Sequence, residues 1–125
     1  DVIWMESLER LALVQVIGAA IAMVYISLYE GFGLPVLESM ASGVTVITSI
    51  NSPMEEIVQD AGLVVNPLDI HQIANAMYQI AIDENLRNSL NSKSKKISHL
   101  YHWDKTARET GLLIEQMLDK IEIVQ

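Results

Sequence analysis

Residues 29–43 read YEGFGLPVLESMASG, and this stretch decides the fold. An acid, Glu30, opens a turn in which Gly31 and Gly33 flank an aromatic residue, Phe32. A helix begun by Pro35 follows, with a second acid, Glu38, inside it and Gly43 at its end. Proline at a first helical position loses nothing, because that N–H has no helical partner. Val36, Leu37 and Met40 supply apolar contacts, and Gly43 suits a left-handed cap. Strand-forming residues lie on both sides, at 23–28 (MVYISL) and 44–48 (VTVIT). Strand, glycine turn, short helix and strand make one βαβ step, whose functional end is the turn.

Upstream, residues 11–28 form a run with Gln15 and Ser27 as its clearly polar members. Its length sits at the lower edge of a membrane span. The composition changes within it, from helix formers at 11–20 to β-branched and aromatic residues at 23–28. A buried helix, a break near 18–20 and a buried parallel strand explain the run without a membrane. Downstream, Ser52 caps a short helix begun by Pro53, with Glu55 placed as in a capping box. Residues 63–65 are a third strand, and Asp69 caps an amphipathic helix over 70–82. A basic helix over 86–100, a corner at 101–104 and a last amphipathic helix over 105–123 complete the chain. Trp103 is expected to anchor that last helix in the core. The fold expected is α/β: a partial Rossmann-like domain over 1–125, with a short parallel sheet of about three strands, flanking helices and a C-terminal helical tail.

Half of the 125 residues are apolar and the mean hydropathy is +0.27, which excludes a disordered chain. There is no cysteine, hence neither a disulfide framework nor a thiolate metal site. A net charge of −8 argues against a binder of nucleic acid, which needs a basic face. None of the eight basic residues lies between Leu11 and Leu86. The absence of cysteine and of a visible signal segment favours a cytoplasmic setting, with peripheral contact at the inner membrane face as a variant.

The residues from Glu30 to Glu38, EGFGLPVLE, resemble the EX7E motif of the family 4 retaining glycosyltransferases. The similarity runs on through Met40, Ala41 and Gly43, resumes at Glu56 within SPMEEIV, and continues in DAGLVVNPLD at 60–69. His102-Trp103-Asp104 is similar to the family's corner before the last helix. The resemblance covers roughly residues 16 to 115. It implies a GT-B fold, two Rossmann-like domains facing across a cleft, of which this chain matches the later half of the C-terminal, donor-binding domain. The acceptor-binding N-terminal domain would then be a missing partner. The donor would be a nucleotide-diphosphate sugar, and neither a cofactor nor a metal is implied.

The chemistry at the turn agrees with that resemblance. Helix N-termini carry unpaired N–H groups and the positive end of the helix dipole. The backbone of Gly31, Phe32, Gly33 and Leu34 can therefore cradle a diphosphate or sugar hydroxyls. A tight turn without a ligand is the plainer explanation of the two glycines, and Phe32 serves as readily for packing. Glu38 lies four residues beyond Leu34, on the same helix face. Its carboxylate is a good acceptor for two neighbouring hydroxyls, and the resemblance implies that it holds the ribose. Glu30 sits at the carboxyl end of a parallel strand, the ligand edge of such sheets. The resemblance implies a place beside the transferred sugar and makes Glu30 the catalytic residue. Ser27 and Thr48 end neighbouring strands at that edge, and Glu56 is a supporting acid or a helix-dipole acid.

Two departures stand out. Ile26 replaces the family's usual proline, and the basic pair that offsets the donor's phosphates upstream of the motif has no counterpart, since Arg10 is out of place. The chain alone is thus expected to bind donor weakly or not at all and to be inactive. Three other readings compete. One is a non-catalytic, self-associating module, a homo-oligomer joined through the apolar N-terminal segment or the sheet edge. The others are another GT-B enzyme such as a sugar-nucleotide epimerase, and a protein anchored in a membrane by residues 11–28.

Overall fold

The computed structural model describes residues 1–122. Helix α1 (Arg10–Ala19) leads into strand β1 (Ala22–Tyr25), then α2 (Leu34–Ala41), β2 (Thr45–Ser49), α3 (Pro53–Val58) and β3 (Gly62–Val65). Three helices follow: α4 (Ile70–Ile82), α5 (Glu84–Ser98) and α6 (Trp103–Glu122). The sheet is parallel, in the order β1-β2-β3.

Each crossover moves one strand in the same direction, so right-handed connections put α2 and α3 on one face. The core shows this. Val36 and Met40 of α2 and Met54, Ile57 and Val58 of α3 pack on Val46, with Met23, Tyr25 and Val64 against them. The alternate residues point the other way. Ile47 and Val65 meet Ala76 and Ile80 of α4 and Leu90 of α5. Helix α5 serves both layers, because Ile97, two turns beyond Leu90, belongs to the first. Asn91 between them accepts a 2.7 Å hydrogen bond from Thr45 Oγ1. All of β2 is buried, as expected of the middle strand.

The helix caps form as expected from the sequence. Ser52 Oγ accepts from Glu55 N, and Asp69 Oδ1 accepts from the N–H groups of His71 and Gln72 at 3.0 Å. The reciprocal half of the first box is displaced by one residue: Glu55 takes the N–H of Asn51, at 2.6 Å. Gly43 has φ +73°, and a Cβ there would come within 2.6 Å of Lys95 Cε.

Several expectations are corrected. The apolar run divides into a helix and a strand as expected, but α1 buries only Ile17 and β1 stops at Tyr25 instead of reaching residue 28. Ser27 leaves the sheet because the Ser49 hydroxyl takes over its pairing, accepting from Ser27 N at 2.9 Å and donating to Ser27 O at 2.7 Å. No helix among the described residues is long and apolar enough to cross a membrane, which counts against the competing reading of residues 11–28 as an anchor. Trp103 is no core anchor: it is 78% exposed, because α6 begins there and leaves the body of the domain. Residue 123, the expected end of α6, lies outside the described residues.

Candidate functional site

The carboxyl ends of the three strands form one edge, the place where open α/β sheets take ligands. The turn between β1 and α2 stands on it. Gly33 is the N-cap of α2, with φ +98° and ψ 49°, a left-handed conformation that glycine adopts without strain. A Cβ at Gly33 would collide with Cγ of Met54, which is fully buried. Gly33 is therefore required twice, by its backbone angle and by the side chain beneath it. By contrast, a Cβ at Gly31 would meet open space. Helix α2 carries no acid in its first turn, so nothing there neutralises its positive end. Leu34 is its first residue and Pro35 its second.

Glu30 is half-buried, and its carboxylate is held in place: the Tyr25 phenol donates to Glu30 Oε1 at 2.8 Å. That hydrogen bond, then burial, then the carboxylate's charge raise the Tyr25 hydroxyl above its ordinary 10.0. Removing the proton ends the donation. The contact thus contributes fully below pH 10.0 and is lost as pH climbs through the raised value. Glu38 lies one turn into α2 and is exposed, with its carboxylate toward solvent. Phe32 meets Tyr101 edge-on, the ring centroids 6.2 Å apart and the planes at 69°. An apolar groove of about 380 Å³ opens beside it, lined by Phe32, Leu34, Leu37, Tyr101 and Trp103 among others. It offers a diphosphate no charge.

The supporting residues fare differently. Thr48 cannot touch a ligand, because it is fully buried. Its hydroxyl donates to Tyr25 O at 3.0 Å and lies 3.4 Å from Met54 Sδ. Ser27 lies two residues beyond β1, and its hydroxyl is buried with no partner among the described residues. Glu56 is an exposed acid in the first turn of α3. Sequence reasoning missed Tyr25. A signal was present, since a tyrosine in a half-buried strand needs a partner for its hydroxyl.

Several cations have partners away from the turn. Arg87 Nη1 caps the end of α4, donating to Ile80 O and Ala81 O at 2.5 and 3.0 Å. Lys93 pairs with Asp60 at 2.8 Å. Lys95 lies against Gly43, at the far end of α2 from the turn. Among the described residues no group of three or more acidic or histidine side chains could hold a metal ion.

Residues 1–97 match the family model described as Glycosyl transferases group 1. The chain belongs to this family. The group 1 chain is 37% identical over 92 residues to O-antigen chain mannosyltransferase B of Escherichia coli, covering 74% of itself and 24% of that protein. It is 31% identical over 84 residues to sucrose-phosphate synthase of Zea mays, covering 66% of itself and 8% of that enzyme. The solved sucrose-phosphate synthase of Thermosynechococcus elongatus superposes with a TM-score of 0.69 at 31% identity, over 78% of this chain and 26% of the other. WaaG, a glycosyltransferase involved in lipopolysaccharide biosynthesis, shares the fold with a TM-score of 0.66 at 19% identity, over 74% and 26% of the two chains. The three-stranded parallel sheet with its helices is thus the GT-B type of half-domain seen in these glycosyltransferases. The group 1 chain spans about a quarter of the mannosyltransferase it matches.

Proposed function

We propose that this chain is the later half of the donor-binding domain of a retaining group 1 glycosyltransferase. The whole enzyme would move a sugar from a nucleotide-diphosphate donor to an acceptor held by an N-terminal domain. Glu30 faces the transferred sugar, Glu38 binds the ribose hydroxyls, and the backbone of Gly31, Phe32, Gly33 and Leu34 receives the sugar-diphosphate end. One observation carries this reading: Glu30 and the left-handed Gly33 bracket an uncapped helix start at the carboxyl edge of a parallel sheet. The mannosyltransferase among its relatives makes a mannosyl donor the first to test.

With Arg87, Lys93 and Lys95 engaged away from the turn, affinity is taken to rest on the helix start, worth about 1–2 kcal/mol, and on hydroxyl contacts. Binding is therefore weak and transfer by the chain alone is absent. Saturation-transfer NMR at millimolar ligand should detect GDP-mannose or a UDP-sugar on the wild type and lose the signal in Glu38→Ala. A signal indifferent to Glu38 would sink the ribose assignment. A dissociation constant below about 10 μM by calorimetry, which is about 7 kcal/mol of binding, would sink the idea of a half site.

A second reading has its own support. Leu112, Leu113, Met117 and Leu118 of α6 are exposed, as are Val2, Ile3 and Trp4, and the outer edge of β1 is unpaired among the described residues. These surfaces favour self-association. Light scattering that reports a monomer at millimolar concentration would remove this reading.

A further inference from the structure

We infer that Tyr25 is a positioning residue for Glu30, its phenol holding one carboxylate oxygen so that the other is left for the donor sugar. This rests on the donor-site reading given above. The Tyr25 ring packs on the core formed by α2, α3 and β2. Its hydroxyl reaches Glu30 Oε1 at 2.8 Å across five residues of chain. Its carbonyl is gripped by Thr48 Oγ1 at 3.0 Å. Thr48 is fully buried, and its hydroxyl also lies 3.4 Å from the sulfur of Met54. Met54 in turn fills the space where a side chain at Gly33 would stand.

The carboxylate and the phosphate-facing turn are therefore braced by one connected set of side chains: Tyr25 through its hydroxyl, and Met54 through its bulk. A glutamate on a loop would otherwise lose rotamer freedom when a ligand ordered it. A phenol whose ring is fixed in a core removes that cost beforehand, which is pre-organisation. The effect falls on the sugar end of the donor alone. The ribose end, at Glu38, lies a helical turn away and makes no hydrogen bond with this set among the described residues.

Tyr25→Phe deletes the hydroxyl and keeps the ring, and Tyr29→Phe, at an exposed ring, is the control. Two measurements on the full chain separate the contact from its purpose. In an NMR titration of the tyrosine rings, one ring should titrate above the ordinary tyrosine range. That signal should vanish in Tyr25→Phe and return to the ordinary range in Glu30→Ala. A late ring that ignores Glu30, or no late ring, overturns the contact and the proposal.

In saturation-transfer NMR, Tyr25→Phe should weaken GDP-mannose or UDP-glucose about five-fold, the scale of one ordinary hydrogen bond, and leave GDP and UDP unchanged. Equal weakening of sugar-nucleotide and free nucleotide marks a merely structural role and overturns the proposal, as does no weakening. Wild-type protein that binds neither overturns the donor reading and the purpose assigned to Tyr25 with it. The ring titration then still decides whether the phenol holds Glu30.

Discussion

The two ends of this molecule are built differently from its middle. Between β1 and α5, large side chains vanish from solvent: Val36, Met40, Val46, Ile47, Met54 and Val58 are fully buried. At α1 and α6 the helices are as regular, yet their apolar residues face outward, with Leu11, Val14, Leu113 and Met117 among those exposed. Local helix signals alone do not bury a face; a partner surface must be present. The middle supplies its own partner, because two βα crossovers place α2 and α3 on the same side of β2. The ends do not find one among the described residues. The Glu30 turn is tied to the packed region at two points, the Tyr25 phenol on Glu30 and Met54 beneath Gly33, while Tyr29, Gly31 and Phe32 are exposed.

Core and ends should respond unequally to substitution. Met54→Ala removes a fully buried side chain and should cost about 3 kcal/mol in chemical denaturation. A loss below about 1 kcal/mol would mean that the packed region is not organised around it.

Gly33→Ala should cost about 2 kcal/mol from backbone strain, with the collision against Met54 added. The double variant should recover about 1 kcal/mol of the summed loss, because the cavity accepts the new methyl. Strict additivity would show that Gly33 and Met54 do not share one space.

On α6, Leu113→Gln with Met117→Gln should shift the stability of the monomer by less than about 0.5 kcal/mol. Any concentration-dependent mass seen for the wild type should fall. A loss as large as that at Met54 would erase the contrast between ends and middle.

The smallest effect expected is at Lys93 and Asp60. The hydrogen bond from Lys93, then its charge, holds the exposed Asp60 below its ordinary 3.8. Its contribution is present above pH 3.8 and disappears as pH falls through the lowered value. Lys93→Ala should lower stability slightly at neutral pH, leave it unchanged below that acid window, and so flatten stability against pH within it.

Much of the packed region was legible because its signals are local. Asp69 before a 3.6-residue apolar pattern marks α4, Ile70–Ile82, over the span that the pattern gives. Ser52-Pro53 and Gly43 likewise announce their own helix ends. The parts that were not legible depend on long-range partners. The early end of β1 comes from the Ser49 hydroxyl, twenty-two residues from Ser27. Thr48 looked like a ligand residue because it ends a strand, but its place in the middle strand buries it. Trp103 looked like an anchor by residue type, and the departure of α6 from the core exposes it. At the site, the spacing of Glu30 and Glu38 was plain in the chain. The grip of Tyr25 on Glu30 was not, since hydrophobic periodicity treats that tyrosine as one more strand residue.

The placement of the cations carries a further consequence. Arg87 caps the end of α4, Lys93 pairs with Asp60 in the turn after α3, and Lys95 lies against Gly43 after α2, while the net charge is −8. An anionic donor approaching the Glu30 turn therefore meets a field of its own sign. Dissolved salt screens such fields over about 10 Å at 0.1 M. Most phosphate-binding proteins lose affinity as ionic strength rises; this turn should gain it, and its association rate should rise with added salt.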